Sequence, residues 1–129
     1  MKKFLFCVFD IKSGQHGLPF VMESDESAKR SFLDSLAEVR MPTLLSKFPS
    51  DYELRRLGSY DTQTGELVGE KPVFVANAAT YGVDLVNEIQ KRKDLMIDEH
   101  ALRVAEEKYN KLAEATFKKV YAKEISNAE

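Results

Sequence analysis

Apolar residues occupy every position from Phe4 to Ile11 except Asp10, with Phe4, Phe6 and Val8 alternating against Leu5, Cys7, Phe9 and Ile11. A short, aromatic and β-branched run that is apolar on both alternating sets predicts a strand covered on two sides. Ser13-Gly14-Gln15-His16-Gly17 is a cluster of turn formers, and Pro19-Phe20-Val21-Met22 then reads as a second strand, its proline at the start where a missing N–H is tolerated. The two predict a hairpin. Ser24 or Asp25 offers a side-chain acceptor for free helix amides, and Ala28, Phe32, Leu33, Leu36 and Ala37 recur at helical spacing, so an amphipathic helix ending before Pro42 is expected.

Met41 to Ser50 reads as a loop with two prolines. Tyr52 to Tyr60 reads as a strand, and Asp61-Thr62-Gln63-Thr64-Gly65-Glu66 as a turn in which Asp61 bonds its own downstream backbone. Leu67-Val68 begins the return strand, and Pro72 to Ala76 forms a further short strand or extended segment. From Val83 glycine and proline vanish, and Leu102, Ala105, Tyr109, Leu112, Thr116 and Val120 follow spacings of three and four. Asp98 to about Ile125 is therefore a helix. Val83 to Ile97 is helical too, as a separate helix with Asp98 capping the next or as one bent helix. The pattern adds up to an α+β fold: an antiparallel ββαββ sheet with one packed helix over residues 1–80, and a long C-terminal helical tail over 81–129. The tail packs on the sheet or pairs with another copy.

Composition narrows the partners. In 129 residues, 43% hydrophobic and 31% charged, 19 basic groups face 21 acidic ones, which fits a folded chain with no global field for nucleic acid. Any such contact is a local patch. The lone Cys7 has no disulfide partner, no apolar run approaches the length of a membrane span, and the N-terminal stretch stops at Asp10 without a cleavage site, so a cytoplasmic chain is expected. His16 and His100 lack ligands at helical spacing, and no phosphate loop follows Gly14 or Gly17; neither metal, cofactor nor catalytic residue is expected. A thiol inside an apolar strand reads as an inert core group.

One pattern suits nucleic acid. Arg55 and Arg56 lie between Tyr52 and Tyr60, with Lys47 and Phe48 just before, and cations interleaved with aromatic rings can stack bases and hold phosphates. By period two, Arg56 is the arginine that shares a face with Tyr52 and Tyr60. The basic run Lys91-Arg92-Lys93 reads as a helix end instead.

The order of local motifs carries more. Phe9-Asp10-Ile11-Lys12-Ser13, Leu18-Pro19-Phe20-Val21, Ala28-Lys29-Arg30-Ser31-Phe32, Leu45-Ser46-Lys47-Phe48-Pro49-Ser50-Asp51-Tyr52 and Leu57-Gly58-Ser59-Tyr60-Asp61 with Thr64-Gly65 together resemble the small nonstructural proteins of gokushoviruses, single-stranded-DNA phages of the Microviridae. The resemblance covers roughly residues 4–70. It implies a non-enzymatic protein made in the cytoplasm of the infected bacterium and absent from the virion, which binds DNA during viral single-strand synthesis or packaging. Lys47 and Tyr52 match its Lys-x-Pro-x-Asp-Tyr/Phe loop, and Arg30 and Phe32 its Arg-x-Phe helix; Arg55-Arg56 lies outside it. The expected nucleic-acid contacts are thus Arg30, Lys47, Tyr52, Arg56 and Tyr60, with single-stranded DNA as partner and self-association into an oligomer. The competing expectation is an adaptor for replication or procapsid proteins that does not touch DNA.

Overall fold

A computed structural model describes the backbone of residues 1–128 and the side chains of residues 1–119. The expected α+β architecture is present. Strand β1 (Lys2–Asp10) lies between its partners: β2 (Gln15–His16) and β3 (Phe20–Met22) on one side and β4 (Tyr52–Asp61) on the other, with β5 (Leu67–Ala76) beyond β4, all antiparallel. The first hairpin thus returns in two pieces. Gly14, at φ 71°, takes the left-handed turn that lets Gln15 and His16 pair at once, before Phe20 resumes the ladder.

Helix α1 (Asp25–Leu36) starts where the Ser24 side chain accepts a hydrogen bond from the Ser27 amide at 3.1 Å. It lays Phe32, Leu33 and Leu36 on the sheet face formed by Phe6, Leu54 and Ala76, all nearly inaccessible to water. The segment expected to be a loop, Met41–Ser50, instead winds a single-turn helix α2 (Leu44–Lys47) and a 3-10 turn at Pro49–Asp51. Thr43 and Ser46 explain the difference: their hydroxyls bond each other's amides in a reciprocal cap that stabilises even one turn.

The two pieces expected after the Asp61 turn are one continuous strand, β5. Its pairing with β4 slips near Arg55 and between Arg56 and Gly58, so Glu70, Lys71 and Pro72 bulge out of register. Only an edge strand tolerates this, because Pro72 has no amide to give a second neighbour.

Of the alternatives for the tail, two helices form. Helix α3 (Val83–Asp94) ends at Leu95, and Asp98 then accepts the Ala101 amide at 3.1 Å and starts α4 (Glu99–Ala128). They run as a hairpin, with Glu88 bridged to Lys108 and Arg92 to Glu106, and pack beside α1, whose Ser27, Asp34 and Ser35 stay exposed to solvent. Tyr81 donates a buried hydrogen bond to the Lys29 carbonyl at 2.7 Å, and Arg92 donates to the Ala37 carbonyl at 3.1 Å. Tyr81, Leu85, Ile89, Tyr109 and Ala113 belong to one core with Phe6 and Leu54. Among the described residues no helix is long and apolar enough to cross a membrane.

Candidate nucleic-acid interface

The pairing of β1 with β4 decides which side chains share a surface. Leu5 pairs with Gly58 and Phe6 with Arg56, so Leu57 has no partner and β4 carries a one-residue bulge. An extra residue reverses the alternation beyond it. Tyr52, Leu54 and Arg56 therefore lie on the helix-covered face with Asp10, Val8 and Phe6, whereas Tyr60 lies opposite Lys3 on the other face with Arg55 and Glu53. The expectation that Arg56 joins Tyr52 and Tyr60 is corrected here: the bulge separates Tyr60 from the other two.

The five residues singled out from sequence do not form one surface. Arg56 sits between two carboxylates, Asp25 at 2.9 Å and Glu70 at 2.6 Å, and the Glu70 bond above all raises its guanidinium pKa. Arg30, on α1, is bonded to Glu114 of α4 and lies 5.5 Å from the Phe117 ring centre. Lys47 ends α2, exposed to solvent, and Tyr52 opens β4 half-buried. Tyr60 alone reaches the face that no helix covers.

That face collects a set that the sequence reading missed. Across β2, β1, β4 and β5 the register places His16 beside Phe9, Cys7 beside Arg55 and Phe74, and Lys3 beside Tyr60 and Leu67, with Val21 of β3 beside Leu5. Arg55 is its centre. The guanidinium lies 3.6 Å from the Phe9 ring centre, 2.9 Å from the Glu53 carboxylate and 3.1 Å from Nε2 of His16, whose ring is tilted against Phe9 at 4.6 Å. These contacts hold a planar cation flat on the sheet. Phe74 is 52% exposed and Tyr60 37% exposed on the same surface.

Cys7, expected to be an inert core group, has no solvent exposure although the register sets it on this face beside Arg55. Burial raises its thiol pKa more than nearby Arg55 lowers it. The Lys91-Arg92-Lys93 run is a helix end, as read: Arg92 stacks 4.2 Å over Tyr109, and Lys93 donates to the Ser46 carbonyl. Among the described residues no cluster of histidine, cysteine or carboxylate groups has the makings of a metal site. One signal for the bulge was present in the sequence, a glycine in the middle of an otherwise regular strand, Gly58.

Comparison with known proteins places the chain in a family. No curated protein and no solved structure matches the chain. The family model described as Phage ORF5 protein matches residues 3–81, which take in all of the sheet but Lys2, together with α1, α2 and the 3-10 turn that ends at Tyr81. With well over half its length inside that match, the chain belongs to the phage ORF5 protein family.

Proposed function

We propose that this phage protein is a non-enzymatic accessory factor of the gokushovirus kind that binds single-stranded DNA, during viral strand synthesis or packaging, in the cytoplasm of the infected host. The observation that carries the reading is the helix-free sheet face, where Arg55, Lys3 and the rings of Phe9, His16, Tyr60 and Phe74 share one surface. Stacked bases need flat apolar rings and phosphates need cations nearby, and an open sheet supplies both without a cleft. A guanidinium already laid on Phe9 loses little freedom when a base covers its other side. The bulge at Leu57 is what puts Tyr60 on the same face as Arg55; without it the two would face opposite ways.

Fluorescence anisotropy with a labelled oligodeoxythymidine tests this. Binding should weaken with salt at a slope of about −0.7 per phosphate contacted, and Tyr60→Ala and Phe74→Ala should each weaken it about tenfold, within the ~1–3 kcal/mol that a stacked base contributes. No binding at low salt rejects the reading. A second reading, an adaptor for replication or procapsid proteins, draws on the exposure of Leu67 at 63% and Val21 at 49% on the same face. A chain that ignores DNA while the same two substitutions release a viral protein would favour it.

A further inference from the structure

Helix α4 carries two patterns side by side. Leu102, Ala105, Tyr109 and Ala113 are buried and dock it, while Glu99, Glu106 and Glu114 recur along the adjoining flank. Each of these glutamates meets an arginine from outside α4. Arg40 lies 3.2 Å from Glu99 and 3.4 Å from Glu106, Arg92 lies 3.8 Å from Glu106, and Arg30 is bonded to Glu114. Arg30 and Arg40 fall inside the family match, whereas α4 lies wholly beyond it.

The outer two pairs, Arg30–Glu114 and Arg40–Glu99, are open to water. The side chains of Arg30 and Arg40 are 40% and 49% exposed, and those of Glu114 and Glu99 are 54% and 62% exposed, so each pair is weak and easily exchanged. Beside Arg30 a groove of about 740 Å³ opens between α1 and α4; its walls carry Lys118 and the hydroxyls of Ser27 and Ser31, opposed by Glu26 and Asp34. The apolar stripe holds α4 in place independently of its glutamates.

We infer that Arg30 and Arg40 form a second site for the phosphate backbone of a nucleic acid, and that the glutamates of α4 are its built-in competitor. Phosphates take the two arginines by exchange with Glu114 and Glu99 while α4 stays docked, so the helix attenuates binding without a rearrangement. The inference rests on the nucleic-acid reading above, but uses the opposite side of the molecule from the open sheet face.

The test is the full chain with Glu99→Gln, Glu106→Gln and Glu114→Gln, titrated with the same labelled oligodeoxythymidine. Affinity at low salt should rise about tenfold and the salt slope should steepen by about 1.4, two phosphates' worth. Adding Arg30→Ala and Arg40→Ala should erase the gain. A charge-matched control, Glu23→Gln with Asp84→Asn and Glu107→Gln, should gain far less; equal gain, or none in the triple variant, overturns the inference. If the triple variant melts early, Glu99→Gln with Glu114→Gln reads the same exchange at the two exposed pairs. The outcomes separate: a gain that persists with Tyr60→Ala and Phe74→Ala, whether or not the native chain binds, supports the arginine site alone. Loss of native binding by those two substitutions, with no gain from the triple variant, supports the sheet face alone.

Discussion

Gly58→Ala probes the bulge on which the sheet-face surface depends. A Cβ at this position would stand 2.2 Å from the Val68 carbonyl oxygen and 3.1 Å from the Gly69 Cα, and both are backbone atoms of β5 that cannot rotate away. An ordinary contact needs more than 3 Å, so either β5 must move off by about 1 Å or the bulge must open. Overpacking of this kind costs about 1–3 kcal/mol, and the stiffer unfolded chain returns about 0.4–1 kcal/mol, leaving a net loss of about 1.3 kcal/mol. For a domain of this size that lowers the melting temperature by about 5 °C. Gly69, directly opposite, is the internal control, because nothing lies within 4 Å of the Cβ that Gly69→Ala would add. Thermal and urea unfolding followed by circular dichroism would compare the two variants. If Gly58→Ala melts level with Gly69→Ala, β5 does not crowd β4 at the bulge as described.

Other consequences can be checked separately. Cys7 should resist a thiol-exchange reagent in the native protein and react only at the rate of unfolding, since burial removes access and raises its pKa; a fast phase under native conditions would contradict this. Burial, with the nearby Asp34 carboxylate, pushes the Tyr109 hydroxyl from 10.0 up to about 12. Its contribution is complete below pH 10 and is lost as pH rises through 12, because the unfolded chain ionises first; Tyr109→Phe should flatten the stability profile over that window, and identical profiles would refute the assignment. Asp98→Ala removes the cap of α4 and should cost about 1 kcal/mol in urea unfolding, while Asp98→Asn retains most of it.

Periodicity made the strands, α1 and the helical tail legible, because each shows its repeat locally: Phe4 to Phe9 on both faces of a strand, Ala28 to Leu36 on one face of a helix, Leu102 to Ala113 along another. The surface was less legible. Whether Arg55 or Arg56 accompanies Tyr60 depends on a single unpaired residue, Leu57, and that depends on how β4 registers against β1, which is a property of the pair and not of either segment. Arg30 and Arg56 read as free cations in sequence because Glu114 and Glu70 lie far from them along the chain. The turn of helix at Leu44–Lys47 escaped because four residues carry no period; its signal was the spacing of Thr43 and Ser46. Phe74 and His16 gained a role only when the register set them in rows with Arg55 and Phe9.

The placement of Tyr81, Leu85, Ile89, Tyr109 and Ala113 in the same interior as Phe6 and Leu54 governs how this protein can be dissected. Cutting the chain after Ala79, the natural choice for asking what the C-terminal helices contribute, would strip the core of five of its side chains and leave the Lys29 carbonyl without Tyr81. A fragment that lost its ligand would then report collapse as readily as a missing binding site. Deletion scanning is therefore uninformative for this fold, and roles have to be assigned one side chain at a time in the intact chain.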